Sequence, residues 1–263
     1  MAQIHPTSVV DPQAQLGNNV VIGPFCLVGP HVKIGDNTVL HSHVVIDGHT
    51  TIGTNNQFFQ FCSIGAAPQD LSYKGEPTEV IIGNDNVFRE CVTIHRGTLK
   101  QDLKTVVGSN CLLMAYVHVG HDGTIGNRVV MANSTNLAGH VKIGDRVIIG
   151  GGTNIAQFIS LGPGAYIGGA SAIDRDIPPY CTALGNRVRL KGINIVGLRR
   201  QGYKREQINE AVEFFRAMEI SPLSPRAYVE HEELHAEYKN NSIVQEILAA
   251  IRNSEVGIAP FLS

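Results

Sequence analysis

The chain has 263 residues, 43% of them hydrophobic and 17% charged, with a formal net charge of −2 and five cysteines. That length suits one elongated core with a small appendage, and the near-neutral charge offers no bulk basic surface for nucleic acid. An odd number of cysteines without CxxC or zinc-finger spacing gives no disulfide or structural-zinc framework, and Met1-Ala2-Gln3-Ile4-His5 enters a repeating pattern at once, so a cytoplasmic protein with no signal peptide and no membrane span is expected.

An aliphatic or aromatic residue returns every sixth position from Ile4 to Ile64, again at Ile82, Phe88 and Ile94, and then without a break from Val107 to Ile173. Fourteen of these 26 hexads place Gly directly after the apolar residue. A period of six is neither the 3.6 of a helix nor the 2 of a two-sided strand. It marks a repeat in which each hexad supplies a short strand and a bend, with the apolar side chain in a narrow core. Four residues on, the side chain is usually small or β-branched (Ser8, Ala14, Val20, Cys26, Thr38, Cys62, Cys111), as a tight corner requires. Cys26, Cys62 and Cys111 therefore read as core thiols. Three hexads close one triangular coil, so residues 1–185 are expected to form a parallel β-helix of eight to nine coils, a rod roughly 40 Å long. Function must then sit on its walls, in loops that break the rhythm, or between rods.

Two stretches do break it, Ala66 to Thr78 and Arg96 to Thr105. Beyond Asp176-Ile177-Pro178-Pro179 the pattern turns helical: Ile208, Val212, Phe215 and Met218 recur at helical spacing, and Ser224-Pro225 reads as an N-cap followed by Pro at N1. Ser242 with Gln245 predicts a capping box ahead of Ile243, Ile247 and Ile251. A helical domain is expected over 186–263.

Histidine is the reactive residue that stands out. His95, His118, His121 and His140, four of the eleven, fall on one stretch of the rod, the last three at hexad positions expected to face outward. An imidazole titrating near neutrality is a natural proton acceptor for a hydroxyl, and Asp122 adds a carboxylate beside His121. A zinc site would need three imidazoles converging on one point. His95, His118 and His121 could supply them only across a subunit interface, and no metal is expected.

Leu113-Met114-Ala115-Tyr116-Val117-His118-Val119-Gly120-His121-Asp122, then Leu137-Ala138-Gly139-His140, closely resembles the acyl-carrier-protein–UDP-N-acetylglucosamine O-acyltransferases of lipid A synthesis. So do Gln69-Asp70-Leu71, Gly75-Glu76-Pro77-Thr78, the Thr93–Thr98 run Thr-Ile-His-Arg-Gly-Thr, and Gly192-Ile193-Asn194-Ile195-Val196-Gly197-Leu198-Arg199-Arg200. The resemblance implies a left-handed coil, a homotrimer with clefts between rods, and transfer of a 3-hydroxyacyl chain to the sugar 3-hydroxyl of UDP-N-acetylglucosamine. It implies no cofactor beyond the phosphopantetheine of acyl carrier protein. His121 would be the general base, Asp122 its orienting partner, and the Gly139 N–H the oxyanion donor. Asp70, His95, His118, His140 and Gln157 match positions that hold the sugar nucleotide or support the base. Asn194 and Arg200 match the nucleotide and carrier end, and Gly169 matches a position that measures acyl length.

The sequence departs from that family at Ser72, Ala156, Val196 and Gln201. Ser72 replaces a lysine common after the Asp-Leu pair, which makes Lys74 the candidate cation for the diphosphate. Between Asn186 and Arg205 stand seven basic residues and no acidic one (Arg187, Arg189, Lys191, Arg199, Arg200, Lys204, Arg205), a collar suited to steering an acidic carrier protein. Competing readings are the N-acyltransferase later in the same pathway, which carries an extra N-terminal uridine-binding domain whereas here the hexads begin at Ile4, a γ-class carbonic anhydrase, and a non-catalytic scaffold.

Overall fold

The computed structural model describes residues 1–262. The hexads form a left-handed parallel β-helix whose three flat faces carry 11, 9 and 8 strands. Most strands have two residues, the second buried: Leu112–Leu113 lies on the first face, His118–Val119 on the second and Thr124–Ile125 on the third. Each coil lies on the next 18 residues later, so His118 pairs with Asn136 and Asn136 with Asn154. The ladder is regular, with the His118 N–H donating to Thr135 O at 3.0 Å and the Gly120 N–H to Leu137 O at 2.9 Å.

Corners turn through the left-handed region, which Asn and Asp tolerate best among residues with a side chain. Asn19, Asn37, Asn55 and Asp85 occupy one corner of four consecutive coils with φ between 56° and 58°. Their amides form a ladder, Asn19 Nδ2 donating to Asn37 Oδ1, Asn37 to Asn55 and Asn55 to Asp85 at 3.1–3.2 Å. Cys26, Cys62 and Cys111 are buried, each thiol donating to a carbonyl of the next coil. Burial pushes the Cys62 thiol up to about 12.

Both excursions leave the rod at the end of the second face. The first, between strands Ser63–Ala66 and Glu79–Ile82, lengthens the register from 18 to 30 residues; the second, between Thr93–His95 and Lys104–Val107, lengthens it to 25. Inside the rod at this level, Asn56 and Asn86, both fully buried, carry hydrogen bonds between coils. Asn86 accepts from the Cys111 N–H and donates to Asn56 Oδ1 and Gly108 O.

The far end of the rod is closed. Strand Cys181–Leu184 turns into Arg189–Ile193, an antiparallel hairpin on the first face. Helix α1 (Ile195–Arg200) follows, then α2 (Arg205–Ile220), α3 (Pro225–Glu230) and α4 (Ser242–Asn253). Helix α2 buries Ile208, Ala211, Phe214, Phe215 and Met218. Ser224 caps α3 as the sequence suggests, accepting from the Ala227 N–H. The cap of α4 is Asn241, one residue before the expected Ser242: its Oδ1 accepts from the Ile243 and Val244 N–H groups, and its buried amide also donates to Gln207 O and Glu210. Among the described residues no helix is long and apolar enough to cross a membrane.

Asn86→Ala is expected to destabilise the rod by about 2–4 kcal/mol, because it leaves a buried N–H and a buried carbonyl without partners. Urea denaturation measures this; a midpoint equal to wild type would mean that the coils close over the gap or admit water.

Candidate active site

His121 and Asp122 turn the corner between the second and third faces, immediately after strand His118–Val119. Asp122 sits at φ 59° and is fully buried. Its Oδ1 accepts from the Thr98 N–H, and its Oδ2 accepts from the Thr98 hydroxyl and from His121 Nδ1–H, each at 2.8 Å. With Nδ1–H given to the carboxylate, His121 Nε2 carries the free lone pair. The pairing fixes both the tautomer and the orientation of the ring.

Register explains the neighbours. Eighteen residues on from His121 stands Gly139, and a Cβ there would lie 2.5 Å from His121 Cε1 and 2.7 Å from its Nε2. The imidazole fits only because that position has no side chain. His140 therefore stands over Asp122; its ring meets that of His121 edge-on at 5.0 Å and stacks on Phe158 at 4.5 Å. His121 and His140 point away from the rod axis, yet they are only 6% and 5% exposed. The outward hexad position is roofed by the second loop, whose Thr98 reaches Asp122 and whose Gln101 reaches His140.

A cavity of about 170 Å³ opens beside this pair, lined by Gln69, His95, His118, Gly120, His121, Ala138, Gly139 and Gln157. His95 Nδ1–H donates to Ala67 O at 2.8 Å, and His118 Nδ1 lies 2.7 Å from the Thr93 hydroxyl. Among the described residues no oxygen accepts from the Gly139 N–H. Asp70, from the first loop, pairs with Lys100 of the second at 2.6 Å, whereas Lys74 is exposed and its own N–H donates to Glu76. Gly169, Asn194 and Arg200 lie elsewhere on the chain. Gly169 is exposed at the corner between the first and second faces. Asn194 and Arg200 line a larger cavity of about 710 Å³ on the first face, together with Arg128, Arg146 and Tyr166. The Asn194 amide is engaged at both ends, capping α1 at Gly197 and donating to Gly164 O.

The polar groups of His121, Asp122 and His140 lie within 4.8 Å of one another, the one cluster of metal-ligand type among the described residues. The 2.8 Å between His121 Nδ1 and Asp122 Oδ2 is a direct hydrogen bond, shorter than the roughly 3.3 Å separating two ligands on a tetrahedral zinc. The carboxylate is already engaged by the N–H and hydroxyl of Thr98. The arrangement is a buried imidazole–carboxylate pair that can accept a proton at His121 Nε2.

Sequence reasoning passed over Thr98, Lys100, Gln101 and Phe158. Thr98 was visible as the last residue of the Thr93–Thr98 motif, and Phe158 by its place 18 residues, one coil, beyond His140; Lys100 and Gln101 have no periodic signal, because they depend on the path of a loop.

Comparison with known proteins gives a consistent picture. A family model described as UDP N-acetylglucosamine O-acyltransferase, domain 2, matches residues 176–259, and a bacterial transferase hexapeptide model matches residues 13–48. The chain is similar to the acyl-[acyl-carrier-protein]–UDP-N-acetylglucosamine O-acyltransferase of Halorhodospira halophila, 46% identical over 98% of this chain and 99% of that one. Among solved structures it resembles the UDP-N-acetylglucosamine acyltransferase of Francisella novicida (TM-score 0.93, 37% identity, 98% and 94% of the two chains). It also resembles the Arabidopsis enzyme of that name (TM-score 0.84, 32% identity, 98% and 100%).

His95, His118 and His140 are all drawn below the ordinary 6.5, chiefly by burial, with the charge of Asp122 partly opposing this at His140. A ring buried neutral contributes stability that is complete above its unfolded value and is lost as pH falls through its lowered folded value. The thermal midpoint should therefore drop as pH is taken from about 7 to 5, and His118→Gln should flatten part of that drop. A wild-type midpoint constant over this range would contradict the neutral burial of these rings.

Proposed function

The chain belongs to the acyl-[acyl-carrier-protein]–UDP-N-acetylglucosamine O-acyltransferases, and we propose that it carries out their reaction with His121 as general base. It transfers an acyl chain from acyl carrier protein to UDP-N-acetylglucosamine, the first step of lipid A biosynthesis. The observation that carries the assignment of the base is the His121–Asp122 pair, with the unprotonated Nε2 beside a cavity and an unengaged Gly139 N–H.

In this reading Nε2 takes the proton of the sugar 3-hydroxyl as its oxygen attacks the thioester carbon of a 3-hydroxyacyl group. Asp122 stabilises the imidazolium that results. The Gly139 N–H donates to the oxyanion, a kind of contact worth roughly 3–4 kcal/mol in other enzymes. Collapse expels the phosphopantetheine thiolate, which takes the proton from Nε2–H and leaves ester and free thiol. His118, His95, Asp70 and Gln157 line the sugar end; His140 supports the base; Arg200 contacts the anionic end, with Asn194 shaping the wall around it. The thioester is already activated, so the scheme needs no metal.

A site shared between chains, in a homotrimer, accounts for the distribution of these groups. A cavity of 170 Å³ is too small for a sugar nucleotide and an acyl chain, and Arg200 lies on another face. Val9, Leu27 and Val45, stacked on the second face, and Phe25 and Phe61 at the neighbouring corner are 39–67% exposed, an apolar strip suited to a second rod. His121→Ala should lower kcat by about 10²–10⁴-fold with the fold intact. Mixed with an inactive Arg200→Ala chain and reassembled, it should regain activity, because some clefts then hold both natural residues. More than a tenth of wild-type kcat in His121→Ala would remove it as the base, and no recovery on mixing would place both groups in one chain's site.

All seven basic residues of the collar are exposed. Reversing Arg199 and Lys204 to Glu should raise KM for the carrier far more than for the sugar nucleotide, and added salt should weaken the wild-type carrier interaction, since exposed charges are screened beyond about 8 Å at physiological ionic strength. An unchanged carrier KM would return the collar to an ordinary solvated surface.

Gly169 would bound the far end of the acyl groove between rods. Excluding four methylenes with Gly169→Met should cost a long acyl chain about 3 kcal/mol, near a hundredfold in kcat/KM, and spare a short one. A Cβ at Gly169 would lie 3.1 Å from Gly151 O. Equal losses for both chain lengths with a lowered Tm would assign Gly169 to the corner alone.

A further inference from the structure

Two adjacent side chains of the second loop reach opposite parts of the site. Lys100 Nζ meets Asp70 Oδ2 of the first loop at 2.6 Å, and Gln101 Oε1 accepts from His140 Nδ1–H at 2.8 Å. Through these two contacts one loop touches both the sugar-nucleotide end and the ring beside the base. We propose that Lys100 and Gln101 position the substrate and the base for the acyl transfer assigned above: Lys100 presents the ammonium that meets the diphosphate, and Gln101 holds His140 in the tautomer that leaves Asp122 to His121.

Lys100 is placed for that role as its neighbours are not. The Arg96 guanidinium is half-buried and engaged, donating to Gly65 O and to the Tyr73 hydroxyl. The Lys74 charge lies by Glu76. Lys100 is 53% exposed while Asp70 beneath it is 10% exposed, so one side of the ammonium is held and the other is open to an incoming anion. Asp70 is fixed in turn, its Oδ1 accepting from the Ser72 N–H and hydroxyl. Lys100, and after it Ser72, holds the Asp70 carboxyl well below the usual carboxylate range, so the pair stays ionised at neutral pH. Ser72 thus serves as the clamp of Asp70, and the cation is supplied from the other loop.

The second contact concerns competition for one carboxylate. His140 faces Asp122, His121, Lys100 and Asp70, and stacks on Phe158. Its Nε2 lies 3.7 Å from Asp122 Oδ2, the oxygen that accepts from His121 at 2.8 Å. A protonated His140 would aim a second N–H at that oxygen and weaken its hold on the base. With Nδ1–H given to Gln101, the neutral ring presents only a lone pair there, and Asp122 remains with His121 and Thr98.

Steady-state kinetics of the full-length enzyme with UDP-N-acetylglucosamine and a 3-hydroxyacyl carrier protein test both halves. Lys100→Met should raise KM for the sugar nucleotide about tenfold or more with kcat within about threefold, and Lys100→Arg should recover most of the loss. Asp70→Asn should have the smaller effect on KM, since the ammonium remains. Gln101→Glu places a carboxylate on His140 Nδ1 and favours the imidazolium, so the acid limb of kcat should move up by about one pH unit with KM little changed. Gln101→Met, which offers no charge, should not raise that limb. Equal and non-additive effects of Lys100→Met and Asp70→Asn would reduce Lys100 to a tie between loops, and an unmoved acid limb in Gln101→Glu would remove the second half. A wild-type enzyme that acylates the sugar nucleotide while Lys100→Met leaves KM unchanged overturns this inference alone; absence of wild-type acylation would instead overturn the reaction.

Discussion

Every functional relation in this molecule depends on one constraint, the stacking of residue i on residue i+18 along a rod with a parallel ladder on each face. A ladder of this kind admits no gradual slippage, because a one-residue shift turns each buried aliphatic out to solvent. It also converts sequence separation into height. His121 and Gly139 meet because they stand at the same place in consecutive coils, and the glycine is needed there for the space an imidazole occupies, not for its backbone freedom. A repeat built for packing thereby becomes a means of holding two groups at a few ångströms with little freedom, which is what proton transfer requires.

The two loops supply what the rod cannot. A straight β-helix exposes its corner residues to water, and a His–Asp pair on an open corner would be an ordinary surface pair, screened and weak. Here both excursions leave from the same edge. Thr98 and Gln101 of one roof the pair, Gln69 of the other lines the cavity beside it, and Asp70 ties the two loops together through Lys100. The result is a carboxylate with no exposure at all, held by three donors on a scaffold that is otherwise flat and wet.

Much of this was readable in the sequence. The period of six gives the coils, the inward positions and the core thiols, and the two breaks in rhythm mark where the site must lie. The histidine cluster and the motifs from His118 to His140 point to a base and its neighbours. What the sequence conceals has a common physical origin: wherever the repeat stops, height no longer follows from counting. The burial of His121 and the partners Lys100 and Gln101 depend on loop paths that no period encodes. The cap of α4 moved from Ser242 to Asn241 for a different reason, a tertiary one, since the Asn241 amide also bonds to Gln207 and Glu210 of α2. Gly169 and Arg200 lie on faces away from His121, a separation that the period of six gives no means of bridging within one rod.

The closed end of the rod has a consequence for how the protein is made. Coils add one upon another, so each needs only its immediate predecessor as a template, and the loop to be closed at each step is short. Synthesis runs from the amino end, so every coil leaves the ribosome with its partner already in place, and the growing tip always presents one unpaired layer of backbone. The antiparallel hairpin at Cys181–Ile193 and the helices behind it are the segments that end this growth. They are translated last. Until they dock, the nascent rod carries an open edge able to accept any extended strand, and in the finished molecule the same hairpin prevents end-to-end polymerisation at that tip.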